Sequence, residues 1–176
     1  AKRYVMEGRS KLLPILGLLL GMVVLIRPIN GLLLLACPFL AGDFDTLRRG
    51  IRSIFRKPAL ALVGLLVFAA VLGIQLLEYK AAVGEFFIYS YGKEGFDFTR
   101  PHIGAILFSY KKGLFLYTPL LLVSLLGLWF LRRESVFQVW AWLGFFTVIT
   151  YVLSSWWMWY YGGSFSGRVY VEYIPL

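Results

Sequence analysis

The sequence from position 156 to position 168 reads WWMWYYGGSFSGR, and it closely follows the apolar run of residues 136–153. Indole and phenol rings favour the membrane–water boundary, where the ring lies partly in lipid and its N–H or O–H group stays hydrated. The cluster therefore predicts the end of a membrane-crossing helix. The three glycines in it allow a tight turn, and Arg168 carries a planar guanidinium suited to phosphate or carboxylate. An aromatic anchor, a turn and an anion-binding group thus occur together.

The composition of the whole 176-residue chain is that of an integral membrane protein. Hydrophobic residues make up 60% of the chain, charged residues make up 15%, and the mean hydropathy is +0.75, which is not typical of a soluble domain. The net charge of +9 comes from short basic clusters between apolar runs. Such clusters are typical of cytoplasmic loops rather than of a nucleic-acid-binding face. We therefore expect membrane lipid as a partner and no nucleic acid.

The cysteine and histidine content does not indicate a redox or metal centre. Cys37 is the only cysteine, so an intrachain disulfide is not possible, and it lies in an apolar run. His102 is the only histidine and has no neighbouring Cys or His residue. No metal and no cofactor are predicted. The chain starts without Met and stops where another apolar segment begins, so we expect a piece of a longer protein.

The apolar runs predict an all-α, polytopic transmembrane bundle of about five membrane helices, which forms one domain over residues 1–176. A bilayer core of about 30 Å needs about 20 helical residues. The first two runs, residues 12–26 and 32–41, are shorter. Pro28 and the residues up to Gly31 separate them, which predicts a short helical hairpin whose turn lies below the outer interface. The later runs are residues 59–77, 113–131 and 136–153.

The basic clusters predict a topology for this bundle, because positively charged loops stay in the cytoplasm. The clusters lie at residues 2–11, 48–57 and 132–133, and one threading of the chain places all three on the cytoplasmic side. The N-terminus is then cytoplasmic. Residues 79–112 form an extracytoplasmic loop, which we expect to be helical near residues 103–108. The loop of residues 42–57 is cytoplasmic in the same threading.

Four cations at the ends of apolar runs could bind an anion. Arg27 ends the first run, and a guanidinium at membrane depth costs about 2.5–3.5 kcal/mol unless it is paired. It could bind a lipid phosphate, or it could simply extend to the headgroups. Lys111 and Lys112 precede the fourth run, where helix N-terminal N–H groups favour anions, although such lysines also serve as membrane anchors. Arg168 is the fourth cation.

Carboxylates and aromatic rings on the predicted outer side are the other candidates. Asp97 and Glu172 each lie among aromatic residues and could bind sugar hydroxyls or act as a general base. Trp159 and Tyr160 could form a platform for a sugar or a polyprenyl chain, or they could anchor the chain in lipid. The sequence contains no P-loop, no dinucleotide-binding glycine pattern and no Ser-His-Asp order.

Three segments of the chain resemble the later transmembrane part of bacterial GT-C-fold glycosyltransferases, which are related to protein mannosyltransferases and aminoarabinose transferases. The first segment is residues 17–30, which contains Ile26-Arg27-Pro28. The second is FSYKKGL at 108–114, followed by YTP at 117–119, and the third is WYYGGSFSGR at 159–168. The resemblance implies that a sugar is transferred from a polyprenyl-phosphate donor to an extracytoplasmic acceptor, in a multi-pass protein of the bacterial inner membrane.

The same resemblance implies which residues bind the substrate and which are missing. The family's catalytic carboxylate lies in a first outer loop, and this chain starts after that region, so the catalytic residue is unknown. A non-catalytic membrane scaffold or subunit, with protein partners in the membrane, is an alternative function, and a transporter of lipid-linked sugars is another. The expected substrate-binding residues are Arg27, Lys111, Lys112, Trp159, Tyr160, Arg168 and Glu172.

Overall fold

A computed structural model describes residues 10–88, 92, 94–163 and 165–173 of the chain. The regular elements in these ranges are helices, accompanied by an isolated β-bridge between Phe96 and Trp156. The all-α prediction is therefore confirmed for this part of the chain. The chain divides into two compact units, residues 1–90 and residues 91–176. That both belong to one transmembrane domain stays a prediction.

Two helices in the described ranges are long and apolar enough to cross a membrane. They are Pro58–Val83, with 26 residues, and Val136–Ser154, with 19 residues. At 1.5 Å per residue the first is longer than a hydrocarbon core of about 30 Å is thick, and the second is about equal to it. Only 6% and 22% of their apolar windows are buried inside the protein, so most of their apolar surface remains exposed, as a lipid-facing helix requires. The other three predicted membrane helices are shorter or interrupted, and their crossing stays a prediction.

The N-terminal unit begins with the predicted hairpin. Arg27 ends the first helix because its backbone is extended, with φ −151° and ψ 120°, and Pro28 lacks the N–H group that a continuing helix would need. The chain then returns, since Ala41 packs against Leu12, Leu13 and Leu16 at the start of the first helix. In order, the elements of this unit are a 3-10 turn Ser10–Leu12, α1 Leu13–Ile26, a 3-10 helix Pro28–Ala36, α2 Cys37–Ala41, α3 Phe44–Arg56 and α4 Pro58–Val83.

Glycines bring α1 and α4 into close contact. A Cβ on Gly64 would lie 2.8 Å from the Leu13 carbonyl oxygen, and a Cβ on Gly17 would overlap the Gly64 backbone. A Cβ on Gly21 would lie 3.0 Å from the Val71 Cβ. Small residues four positions apart permit such an approach between membrane helices, whose association depends on close packing. The spacing of Gly17 and Gly21 signals this contact, although it is not among the motifs identified above.

The basic segment after α2 was expected to be a loop, but it is the helix α3. Asp43 begins the helix, because its carboxylate accepts hydrogen bonds from the N–H and the hydroxyl of Thr46, both at 2.7 Å. Leu47 and Ile54 on this helix pack against Ala41. Their spacing of seven residues fits a helical period, so the sequence already contains a signal for this helix.

The C-terminal unit contains a chain of short helices and one long helix. The predicted run of residues 113–131 is interrupted at Thr118, whose φ of −131° and ψ of 68° are not helical. The following Pro119 disfavours a helical residue before it, and Pro119 itself lies in the first turn of the next helix. The elements are α5 Ile103–Phe108, α6 Leu114–Tyr117, α7 Pro119–Ser124, α8 Leu126–Glu134, α9 Val136–Ser154 and a final 3-10 turn Arg168–Tyr170.

Helix ends agree with the sequence predictions in some places and differ in others. The helix predicted near residues 103–108 is confirmed as α5. The helix α4 continues to Val83, beyond the predicted end at residue 77, and Gly84 ends it with a φ of +83°. The polar residues Glu78 and Lys80 therefore do not end α4. Arg132 and Arg133 lie in the last turn of α8 rather than in a connecting turn.

The core of the C-terminal unit forms where α9 packs against α5, α6 and the final 3-10 turn. Phe146 on α9 joins these elements, since its ring centroid lies 6.2 Å from that of Phe115 and 6.1 Å from that of Tyr170. Aromatic contacts of this kind add to the burial of apolar area. The buried apolar side chains of this unit are Ile106, Leu114, Phe115, Phe145, Ile149, Leu153, Val169, Tyr170 and Tyr173.

Candidate anion-binding site

The C-terminal end of α9 holds together the two loops that carry the candidate residues. A helix end leaves its last carbonyl groups without intrahelical partners, and here donors from both loops satisfy them. This arrangement fixes the loop before α5 and the aromatic segment after α9 to one point. The hydrogen bonds join the Ser155 carbonyl to the Asp97 N–H (2.7 Å), the Ser154 carbonyl to the His102 N–H (3.0 Å) and the Leu153 carbonyl to the Tyr161 hydroxyl (2.8 Å).

A tight turn between α5 and α6 presents the two predicted lysines. Ser109 shapes this turn, because its Oγ accepts from the Lys111 N–H at 3.1 Å and its carbonyl accepts from the Gly113 N–H at 2.6 Å. Glycine is needed at position 113, since a Cβ there would lie 2.5 Å from the Ser109 nitrogen and 2.6 Å from the Phe108 carbonyl carbon. The turn leaves Lys111 exposed and Lys112 half-buried.

The aromatic segment after α9 contacts Lys111. The Lys111 Nζ lies 3.3 Å from the centroid of the Tyr160 ring, which is a cation–π contact. Trp159 packs edge-on against Tyr160, with 5.7 Å between the ring centroids, and lies 6.2 Å from the His102 ring. One face of Tyr160 is therefore occupied by a lysine of the same chain. Tyr160 positions Lys111 in this structure, and a role as a sugar platform stays a prediction.

Lys112, in the turn between α5 and α6, contacts the aromatic segment that follows α9. Its Nζ donates a hydrogen bond to the Gly162 carbonyl. The backbone turns at this point, where Tyr161 and Gly162 have positive φ angles of 49° and 75°. Partial desolvation lowers the pKa of Lys112, and the positive charges of Arg168 and Lys111 lower it further. The fold thus brings Arg168 within electrostatic range of Lys112, which precedes it by more than fifty positions.

Arg168 begins the final 3-10 turn and is exposed. Its N–H group donates to the Ser166 carbonyl at 3.0 Å, and Ser166 has a φ of 48°. A Cβ on Gly167 would lie 3.1 Å from the Tyr170 ring, so this stretch packs closely on the buried core. A closely packed backbone therefore carries an exposed guanidinium. Together Lys111, Lys112 and Arg168 form a positively charged cluster, referred to below as the basic cluster.

Two of the other predicted residues have different surroundings. Arg27 lies in the N-terminal unit, where it is exposed at the break between α1 and the 3-10 helix, and its place beside the basic cluster stays a prediction. Glu172 is half-buried just after the final 3-10 turn, and its contact with a substrate also stays a prediction.

Asp97 makes hydrogen bonds within its own loop, and its role as a general base or sugar-binding residue stays a prediction. Its Oδ1 accepts from the N–H of Thr99 at 2.9 Å and from the Thr99 hydroxyl at 2.6 Å. These hydrogen bonds lower the pKa of Asp97, and a carboxylate with a lowered pKa is a weak general base. Asp97 shapes the loop that is attached to the end of α9.

Buried hydroxyl groups in the C-terminal unit were not identified from the sequence. Those of Thr150, Ser166 and Tyr170 are buried and lack a hydrogen-bond partner among the described residues. Burial raises the pKa of Tyr170, and the nearby Thr150 hydroxyl offsets only part of this shift without reaching hydrogen-bond geometry. Buried polar groups normally have a partner, such as an ordered water. No local sequence signal identifies them, because their burial depends on packing between separate elements.

Comparisons with protein-family models, with curated proteins and with solved structures found no match. The resemblance to GT-C-fold glycosyltransferases therefore rests on the three short segments quoted above. Function has to be argued from the geometry of the site, because a fold class alone does not determine an activity.

Proposed function

We propose that this chain is the membrane-embedded part of a glycosyltransferase, and that the basic cluster binds the phosphate of a polyprenyl-phosphate sugar donor. The observation that carries the proposal is the convergence of the two lysines on the segment that leads to Arg168: Lys111 lies over the Tyr160 ring, and Lys112 donates to the Gly162 carbonyl. Neighbouring cations repel one another, and this repulsion helps to lower the pKa of Lys112. A bound phosphate would replace that repulsion with charge-assisted hydrogen bonds.

The chemistry of the donor suits these three side chains. When the bond between the sugar and the phosphate breaks, the electron pair remains on the polyprenyl phosphate, which carries increasing negative charge. Arg168 offers a planar fork of N–H donors, and Lys111 and Lys112 supply compact positive charges. Preorganised cations stabilise the developing charge more than the ground state. The base that takes the proton from the acceptor is expected outside this chain.

Apolar surface near the basic cluster suits the hydrocarbon part of the donor. Tyr110 and Phe165 flank the cluster in the sequence and are 87% and 72% exposed. Val136–Ser154 is long and apolar enough to cross a membrane, and the aromatic segment follows its C-terminal end. A polyprenyl chain would lie in lipid beside these side chains while its phosphate reaches the cations.

The resemblance and the charge distribution support a location and an orientation for this activity. The resemblance to GT-C-fold glycosyltransferases implies a multi-pass protein of the bacterial inner membrane. Within that membrane we propose a cytoplasmic N-terminus, because the clusters at residues 2–11, 48–57 and 132–133 then lie in the cytoplasm. The basic cluster faces the extracytoplasmic side in this topology. The donor would reach it from the outer leaflet.

Binding of farnesyl phosphate, a short soluble analogue of the donor, tests the phosphate site. Isothermal titration calorimetry would use the purified chain in nanodiscs of zwitterionic lipid, and farnesol would serve as the uncharged ligand. A charge-assisted contact is worth about 1.5–3 kcal/mol, so we expect Lys112→Gln and Arg168→Gln each to weaken binding by roughly 10- to 150-fold. Arg133→Gln removes the same charge at the end of α8 and should leave the affinity unchanged. Equal binding of farnesol, or an equal loss in Arg133→Gln, would refute the phosphate site.

Sugar transfer is a separate measurement. Membranes that contain the full-length protein, with the region expected to supply the base, should transfer a radiolabelled sugar from a polyprenyl-phosphate sugar to an acceptor, and Arg168→Gln should abolish this transfer. Binding of farnesyl phosphate without any transfer would instead favour the scaffold. Movement of the intact lipid-linked sugar across the membrane would favour the transporter.

A further inference from the structure

The helix α3 has one side that packs against the N-terminal unit. Thr46 and Gly50 are buried on this side, and Leu47 and Ile54 pack against Ala41. At about 100° per residue, these positions cover less than half of the circumference of the helix. Apart from Ser53, which is half-buried, the other side chains of α3 are exposed.

A second sector of α3 is apolar and exposed. Phe44, Ile51 and Phe55 are 61%, 48% and 77% exposed, and they lie within about 40° of one another at 100° per residue. They differ from Leu47 and Ile54 because the hairpin does not cover them. Exposed large apolar groups that share one face of a helix mark a surface that contacts lipid or a partner.

A third sector, which is basic, borders the apolar one. Arg48 and Arg52 are exposed and follow Phe55 around the helix by about 20° and 60° at 100° per residue. Arg49 lies farther around, and its Nη2 donates a hydrogen bond to the Thr46 hydroxyl at 2.8 Å. Exposed apolar residues beside arginines are the pattern of a helix that lies in a membrane interface.

The position of α3 in the chain places this pattern near the membrane. Lys57 alone separates α3 from Pro58–Val83, the longer of the two helices that could cross a membrane. One residue spans only about 3.8 Å. The end of α3 therefore lies at the surface of the bilayer that α4 enters, within reach of lipid headgroups.

We propose that α3 is an interfacial helix that binds anionic phospholipids. Phe44, Ile51 and Phe55 insert between the acyl chains and headgroups, while Arg48 and Arg52 contact the lipid phosphates. Anionic lipid fits better than zwitterionic lipid because each basic residue near an anionic surface adds attraction. This inference goes beyond glycosyl transfer, and it rests on the N-terminal unit alone.

Fluorescence quenching of a single label tests the insertion. In a Cys37→Ser background, Phe55→Cys and Arg56→Cys each carry an environment-sensitive fluorophore, and the full chain is reconstituted in vesicles of phosphatidylcholine and phosphatidylglycerol. The two positions are adjacent in sequence but about 100° apart on the helix. We expect the label at position 55 to be quenched by spin-labelled lipid and protected from aqueous iodide, with the opposite result at position 56. Equal iodide quenching at both positions would overturn the proposal. A label at position 55 that is shielded from both quenchers would also overturn it, because it would indicate that a protein partner covers this face.

The preference for anionic lipid is measured separately. Electron paramagnetic resonance compares the association of spin-labelled phosphatidylglycerol and phosphatidylcholine with the reconstituted chain. We expect the double variant Arg48→Gln/Arg52→Gln to reduce the preference for phosphatidylglycerol by up to about fivefold for each arginine removed. The double variant Arg49→Gln/Arg56→Gln removes the same charge from the opposite side of the basic sector and should have a smaller effect. Equal losses in the two double variants would show that only net charge matters and would refute binding by this face.

Discussion

Replacing Gly17 with alanine should destabilise the contact between α1 and α4. The added Cβ would overlap the Gly64 backbone, and a backbone atom cannot move aside as a side chain can. The two helices would therefore have to separate. Overpacking of this kind costs about 1–3 kcal/mol, whereas alanine gains about 1 kcal/mol over glycine in helix propensity. Because the overlap is with backbone, we expect a net loss of about 1–2 kcal/mol.

Gly73 on α4 provides the matched control. A Cβ at this position would meet nothing within 4 Å, so Gly73→Ala should keep the propensity gain and raise the stability by about 0.5–1 kcal/mol. Gly64→Ala should fall between the two variants, since its Cβ would lie 2.8 Å from the Leu13 carbonyl oxygen. The predicted order of stability is Gly73→Ala, then wild type, then Gly64→Ala, then Gly17→Ala.

Cys37 makes this order measurable. It is the only cysteine in the chain and is half-buried in α2, so a thiol-reactive fluorogenic dye reports the unfolding of the N-terminal unit. Thermal melts of the four proteins in the same detergent would give the order directly. A melting temperature of Gly17→Ala at or above that of the wild type would refute the close contact. A loss in Gly73→Ala as large as that in Gly17→Ala would show that glycine acts through the helix backbone and not through packing.

Three further predictions concern other parts of the chain. The affinity for farnesyl phosphate should rise as the phosphate loses its second proton near pH 6, and it should fall at alkaline pH as Lys112 loses its proton, below the ordinary lysine value of about 10.4. Arg168 and Lys111 help to lower the pKa of Lys112. In calorimetric titrations, Arg168→Gln should therefore move the loss of affinity at alkaline pH to a higher pH. Tyr170→Phe removes a buried hydroxyl that lacks a hydrogen-bond partner among the described residues. Thermal melts should therefore show unchanged stability or a gain of about 1 kcal/mol. A clear loss of stability would mean that the hydroxyl binds a water or a ligand. Asp43→Ala should lower the melting temperature more than Asp45→Ala, because Thr46 donates to the Asp43 carboxylate and thereby lowers its pKa. This stabilisation is present above the unfolded pKa of about 3.9 and is lost as the pH falls through the lowered pKa of the folded state. The difference in melting temperature between the two variants should therefore disappear in acid.

The basic cluster shows why part of the site could be predicted. Lys111, Lys112 and Arg168 were identified because cations at the ends of apolar runs are costly in lipid and are therefore informative. Their convergence required the tertiary structure, since it depends on a turn closed by Gly113 and on positive φ angles at Tyr161 and Gly162. The same structure uses Tyr160 to hold Lys111, which composition did not indicate.

The sequence of α3 contains a helical spacing of apolar residues as well as the arginines that are typical of a cytoplasmic loop. Its arginines led to the expectation of a loop, while the spacing of Phe44, Ile51 and Phe55 already fitted a helix. Which apolar positions are covered could not be read from the sequence. That depended on the return of the hairpin to the start of α1, which covers Leu47 and Ile54 with Ala41 and leaves the other face exposed.

The sequence by itself determined that the chain is helical, that it has long apolar segments and that the first of them breaks at Pro28. These properties depend on apolar length and on the missing proline N–H group, which act within a few residues. Only the tertiary structure decided that Gly17 lies against Gly64 and that Arg168 acts on Lys112. Each of these pairs joins residues more than forty positions apart in the sequence. Their proximity is set by how helices pack and loops turn, which local composition does not encode.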